Sequence, residues 1–319
     1  MKTERWDPNK DLSAPLRWRK PRRVEVTVDF AAKPEVVAAV FGVMAAAPSH
    51  LFAVTATGAE DVEGWLEWVD MWDCNGDGYP DALRSIRYAA ECSGGTFPAS
   101  WEGDGAPAGC DWPLPNVILT FGATDQASFD AGWGHAQKWA ADGWKVGVHF
   151  DGLTGAVRVL SALMSGRRPG DCANCGQGHG FSRCPNYGGV NLTIEPEYAG
   201  PDKHYKHPCA AFRRAVCDGL SWVTVSGGAD PVHPAWVRSL LDQCAAANVP
   251  FRFTGWGEWR ESLPEDVAKM TLCVSPTGGR YHPGAPHPGG CVFMAAVGRS
   301  YSGRLLDGVV HDEWPEVSA

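Results

Sequence analysis

The stretch Ser221-Trp-Val-Thr-Val-Ser226, Pro234, Trp236-Val-Arg-Ser-Leu-Leu-Asp-Gln-Cys244 and Asn248-Val-Pro-Phe-Arg-Phe-Thr254 decides the fold. Residues 221–226 read as a buried strand, rich in β-branched and aromatic side chains. Pro234 stands where a first-turn proline is tolerated, because its missing N–H would be unpaired there anyway. Trp236, Val237, Leu240, Leu241 and Cys244 recur at helical spacing and make one apolar face. Asn248 suits a left-handed C-cap, Pro250 stops the helix, and residues 251–254 form the next strand. A strand–helix–strand unit of this kind pairs its strands in parallel through a right-handed crossover.

The same rhythm extends towards the N-terminus. Residues 24–30 alternate like a strand, and residues 34–47 carry an apolar stripe of Val36, Val37, Val40, Phe41 and Met44. Residues 52–57 form a second strand, after which Asp61 can cap a helix bearing Trp65, Trp68 and Trp72 on one face. Residues 116–121 form a third strand, Asp125 caps a helix running to residue 141, and residues 144–150 form a fourth. Six such strands predict an α/β fold, a partial or irregular (β/α) barrel of parallel strands, in a single domain over residues 1–319. Residues 74–115 and 160–219 interrupt the rhythm as two long loop insertions, the places where binding functions usually reside.

Composition narrows the classes. With 319 residues and 44% hydrophobic content the chain can bury a sizeable core. It has no apolar run near the ~20 residues that span a bilayer, nor an apolar segment like that of a signal peptide near its N-terminus; a cytoplasmic location is expected. A net charge of −9 argues against a general nucleic-acid coat. Arg17, Arg19, Lys20, Arg22 and Arg23 nonetheless crowd into one segment, which could meet a phosphate, a nucleic acid or an acidic partner, or could simply be solvated. Eleven cysteines without a secretion signal point to reduced thiols, some of them holding metal.

Two metal motifs stand out. In Asp171-Cys-Ala-Asn-Cys-Gly-Gln-Gly-His-Gly-Phe-Ser-Arg-Cys184, Cys172 and Cys175 have the spacing at which both thiolates reach one tetrahedral zinc ion. Cys184 with His179, Cys209 or His207 would complete a structural set; ordinary loop thiols are the alternative. Asp73-Cys-Asn-Gly-Asp-Gly-Tyr-Pro-Asp81 places Asp73, Asn75 and Asp77 at alternate positions with Asp81 to close the site, as in short calcium loops. Asx-Gly turns give the same letters without calcium. His204 and His207 near Glu195 and Glu197, the His282 and His287 stretch, and a Gly227-Gly228 pair that could meet a phosphate are weaker signals.

Several segments resemble a known family. Pro15-Leu-Arg-Trp-Arg-Lys-Pro-Arg-Arg-Val24, Val40-Phe-Gly-Val-Met-Ala-Ala-Ala-Pro48, Leu114-Pro-Asn-Val117, Trp236 to Cys244, Trp256-Gly-Glu-Trp259 and Gly303-Arg-Leu-Leu-Asp-Gly308 are similar to the phage gene-product thirty-seven/sixty-eight family. The resemblance implies a radical-S-adenosylmethionine-like barrel with a three-cysteine cluster motif upstream of the P-L-R-W segment. Here only fourteen residues precede Pro15 and none is Cys, so no iron–sulfur cluster is expected on this chain alone. The family's strand-end motifs are also replaced, by Thr55-Ala-Thr-Gly58, Ala123-Thr-Asp125, Ser226-Gly-Gly-Ala-Asp230 and Thr254-Gly-Trp-Gly257. Asp29, Asp125, Asp151, Asp230 and Glu258 are the acids left for a strand-end pocket.

Two losses, of cluster motif and of strand-end groups, favour a phage accessory protein that keeps the barrel for binding or interaction in the cytoplasm of an infected or lysogenic host. One alternative is an enzyme acting on a nucleoside or nucleic acid, with an N-terminal cluster domain supplied by another chain. Another is a zinc-stabilised nucleic-acid-binding factor.

Overall fold

The computed structural model describes residues 1–70, 86, 113–159, 219–266 and 268–316. Its centre is a sheet of seven parallel strands that follow one another in chain order and curl into a half-barrel. They are β1 (Lys2–Arg5), β2 (Arg22–Val28), β3 (Leu51–Ala56), β4 (Val117–Ala123), β5 (Lys145–Asp151), β6 (Trp222–Ser226) and β7 (Phe251–Gly255). The six expected strands are all present and parallel, each within two residues of its expected limits. β1 is an addition. Its sequence, Lys-Thr-Glu-Arg, has no apolar pattern, and it joins the sheet through its backbone pairing with β2.

The helices are α1 (Pro34–Ala45), α2 (Ala59–Asp70), α3 (Gln126–Ala141) and α4 (Pro234–Ala247). Strand side chains alternate between two faces. The outward set, including Val24, Val26, Phe52, Val54, Leu119, Phe121, Val146 and Val148, is buried with the helices in one large core. Within it Phe41 of α1 and Trp65 of α2 lie 4.4 Å apart, ring centre to ring centre. Gly132 of α3 sits so close to Phe121 that an added Cβ would fall 2.3 Å from the ring, so this helix–sheet contact requires glycine. Asn116 donates from Nδ2 to the Met44 carbonyl at 3.0 Å and the His50 carbonyl at 3.2 Å, satisfying backbone left open after α1.

Helix ends follow their sequence signals with one correction. The Asp125 carboxylate accepts from Ser128 N at 2.8 Å, and Ser128 Oγ accepts from Asp125 N at 3.0 Å, a reciprocal cap on α3. Asn248 closes α4 in the left-handed region with φ 49°. Asp61 lies inside the first turn of α2, which starts at Ala59, and does not cap it; there it still favours the positive end of the helix dipole.

After β7 the chain changes character. β8 (Trp259–Glu261), β9 (Thr271–Val274), β10 (Arg280–Tyr281) and β11 (Val292–Ala296) form an antiparallel sheet in the order β10-β9-β11-β8. A short helix, α5 (Arg299–Ser302), leads to the hairpin β12 (Leu305–Leu306) and β13 (Val309–Val310). Its turn is Asp307-Gly308 with φ 52° and 79°, the both-positive pattern of a tight two-residue hairpin. Arg238 of α4 grips Asp307 from Nε and Nη2 at 2.6–2.9 Å. Among the described residues no helix is long and apolar enough to cross a membrane.

Candidate functional site

The inward face of the half-barrel is built from the other alternate residues of each strand. At its base Leu51, Ala53, Ile118, Trp222 and Trp314 form a small second apolar cluster, with the two indoles 4.5 Å apart. Above that floor the side chains turn polar. Thr27, Thr55 and Thr120 are register partners on β2, β3 and β4. The next rung carries His149, Thr224 and Arg252, paired across β5, β6 and β7. Asp151 and Ser226 pair at the carboxyl end. Of these, Ala53, Trp222, the three threonines, His149, Thr224 and Asp151 line a cleft of about 1100 Å³, roofed along one side by residues that follow β1, from Trp6 to Trp18.

Most polar groups in the cleft already have partners. Thr55 and Thr120 hydroxyls are 2.9 Å apart, and Thr120 donates to the Val54 carbonyl at 3.0 Å. Ser226 Oγ donates to Asp151 Oδ1 at 2.7 Å, and His149 Nε2 lies 3.4 Å from the same hydroxyl. This is not a nucleophile triad. In a triad the imidazole stands between hydroxyl and carboxylate, taking the proton from one while oriented by the other. Here the serine proton points at the carboxylate. Burial holds His149 below its ordinary value of 6.5, with Asp151 and Glu25 opposing the shift, so the ring is neutral at pH 7.

Three buried side-chain polar atoms lack a hydrogen-bond partner among the described residues, Thr224 Oγ1, Trp139 Nε1 and Trp314 Nε1, and of the three residues only Thr224 lines the cleft. Thr224 is 4% exposed. Stranding such a group costs about 1–3 kcal/mol, so its persistence calls for a reason.

The electrostatics of the cleft are acidic. Asp7, Asp11, Glu25, Asp29 and Asp151 line it, against Arg5 and Lys10. Arg252, only 8% exposed at its side chain, is not among the lining residues and is held by Glu25 and by Asp312 at 2.9 Å.

Of the acids expected at the strand ends, Asp29 and Asp151 line the cleft. Asp125 is committed to the α3 cap, Asp230 pairs with Arg280 at 2.8 Å, and Glu258 is an exposed residue after β7. The Gly227-Gly228 pair is explained by packing: a Cβ on Gly227 would lie 2.0 Å from the Trp256 backbone, and Gly227 N donates to the Gly255 carbonyl at 2.7 Å. In the basic segment, Arg17 is hydrogen-bonded to Ser13 and Asp11, Arg22 to Glu4, and Arg23 stacks over Trp314 at 5.6 Å. Arg19 and Lys20 are exposed. The zinc set (Cys172, Cys175, His179, Cys184, Cys209) and the calcium set (Asp73, Asn75, Asp77, Asp81) lie outside the described residues. Sequence reading missed His149, Thr224 and Ser226. Their signal was the alternation in Lys145-Val-Gly-Val-His-Phe-Asp151 and Trp222-Val-Thr-Val-Ser226, where a sheet covered on both faces would read as continuously apolar.

A different constellation lies in the antiparallel sheet. Cys273 on β9, Cys291 just before β11 and His287 in the loop between β10 and β11 bring their ligating atoms within 4.8 Å of one another. Burial and the neighbouring Cys291 push the Cys273 thiol up to about 11.

The family described as "Protein of unknown function (DUF5131)" matches residues 2–315, and the chain belongs to that family. No curated protein and no solved structure matched.

Proposed function

We propose that this member of the DUF5131 family is a binding protein whose half-barrel cleft holds a small polar ligand carrying at least one positive charge. The observation that carries this reading is the Thr224 hydroxyl, buried and without a partner among the described residues, on the wall of a polar cleft of about 1100 Å³. A ligand that hydrogen-bonds Thr224 supplies the partner missing among the described residues. The volume is on the scale of small-molecule sites, where a few placed polar groups set orientation. The excess of carboxylates over cations favours a cationic guest and disfavours phosphates and nucleic acid in this cleft.

The described cysteines, Cys244, Cys273 and Cys291, are not among the residues lining the cleft. The resemblance to phage gene products extends the reading to a phage-encoded accessory protein on a radical-S-adenosylmethionine-like scaffold that has given up its cluster.

The test is a thermal-shift screen of the full chain against small amines, amino acids, nucleosides and inorganic phosphates. Stabilisation by a cationic member, abolished in Asp151→Asn, supports the proposal. Stabilisation confined to phosphates or nucleotides would refute the cationic assignment, and no response across the amine and amino-acid sets would refute the binding role.

A further inference from the structure

We propose that Cys273, His287 and Cys291 bind a zinc ion that pins the loop between β10 and β11 onto β9. The three residues come from separate places: the interior of a strand, the middle of a loop, and the residue that leads into the next strand. Their ligand atoms nonetheless converge within 4.8 Å. Zinc at about 2.0–2.3 Å from nitrogen and sulfur would draw them together by roughly a further ångström. Two sulfurs and one imidazole are a donor set that suits zinc over calcium or magnesium, which take oxygen.

The surroundings are those of a metal clamp. Cys273 is fully buried, so one ligand is fixed by the sheet, while His287 is exposed and Cys291 half-buried. His287 Nδ1 lies 3.2 Å from the Pro288 carbonyl. With its proton donated there, the lone pair resides on Nε2, the usual outer-shell arrangement for a metal-bound imidazole. The intervening His282-Pro-Gly-Ala-Pro-His287-Pro-Gly-Gly-Cys291 has almost no apolar side chain with which to order itself. One direct anchor is the Gly290 carbonyl, which accepts from His233 Nε2 at 3.0 Å. A metal joining the middle and the C-terminal end of that segment to β9 offsets the conformational entropy that this composition leaves uncompensated. The exposed side of the site leaves the fourth position to solvent.

The experiment uses the full chain carrying Cys172→Ser and Cys175→Ser, so that the cysteine-rich segment cannot supply the signal. Zinc content is measured by elemental analysis after gel filtration, and cobalt is substituted to reveal thiolate-to-metal absorption. The proposal expects about one zinc per chain in this background, lost in a further Cys291→Ser variant and weakened in His287→Ala by more than the about 10- to 100-fold that losing an outer-shell partner costs. His287 is exposed, so its variant keeps the test valid if Cys291→Ser fails to fold. Proteolysis within residues 282–291 should quicken as the metal is lost. No zinc in the background protein, zinc retained in both variants, or a Cys273–Cys291 disulfide in place of metal would overturn it.

Discussion

Arg252 on β7 donates from Nη1 to the Glu25 carboxylate on β2, so a charged hydrogen bond spans the hollow of the sheet from its second strand to its last. The same guanidinium donates from Nε to Asp312 at 2.9 Å and lies 5.0 Å from the Trp314 ring. Parallel pairing holds each strand only to its neighbours. The Glu25–Arg252 link closes the curl directly, from a residue that lines the cleft.

Breaking that link should be costly. Arg252→Ala removes the cation Glu25 and Asp312 share, but both acids are partly exposed and keep Arg5 at 3.5 Å and Arg304 at 3.4 Å, so the loss should fall below the about 3–5 kcal/mol of a fully buried pair. Urea unfolding should show this as a lower midpoint. Glu25→Gln combined with Arg252→Met should destabilise less than the sum of the two single changes, because the partners interact. Strict additivity would mean the pair is not coupled.

Thr224→Val should act in opposite directions on fold and ligand. The substitution keeps the shape and removes a buried hydroxyl that has no partner among the described residues, so the ligand-free protein should gain about 1 kcal/mol. Any amine found to stabilise the parent should stabilise the variant less. Loss of stability in the ligand-free variant would show that the hydroxyl is satisfied within the protein.

His149 sets part of the pH dependence. Its folded value lies below 6.5, so above that pH the ring is neutral in both folded and unfolded chains and contributes nothing. As pH falls through 6.5 towards the folded value, the unfolded chain takes up a proton that the fold resists, and stability is lost. His50 is depressed by burial too and adds to the same slope. His149→Gln should therefore flatten the fall in unfolding free energy below pH 6.5 without abolishing it. An unchanged slope would place His149 in water.

The expectation that no iron–sulfur cluster forms on this chain alone gives a spectroscopic prediction. Anaerobic incubation with iron and sulfide should leave the chain without cluster absorption, and S-adenosylmethionine should remain uncleaved. A stoichiometric cluster on this chain alone would restore the radical reading.

The parallel half of the fold was legible because its strands and helices are long enough to show a period. Phe251-Arg-Phe-Thr254 and the Trp236–Cys244 face leave little choice, and Asp125 with Ser128 announces its own cap. β1 was invisible because Lys2 to Arg5 pairs by backbone alone. β8 to β11 run two to five residues each among glycines and prolines, too short for periodicity to register. The cleft was legible only in part. Asp29 and Asp151 could be placed at strand ends, but the letters could not say that Asp230 would turn to Arg280 or that Asp125 would be spent on a helix. Cys273, His287 and Cys291 carry no recognisable spacing, since their meeting depends on the register of β9 with β11, where Cys273 faces Phe293.

The central claim is that the cleft takes a small cationic guest against Thr224 and Asp151. A crystal structure of the full chain grown with the amine that raises its melting temperature most would test this directly. The account predicts the ligand inside the half-barrel, with one polar atom within hydrogen-bond distance of Thr224 Oγ1 and its cationic group beside Asp151 Oδ2. Ligand bound elsewhere on the chain, or a cleft filled only with water while the amine is saturating, would contradict it.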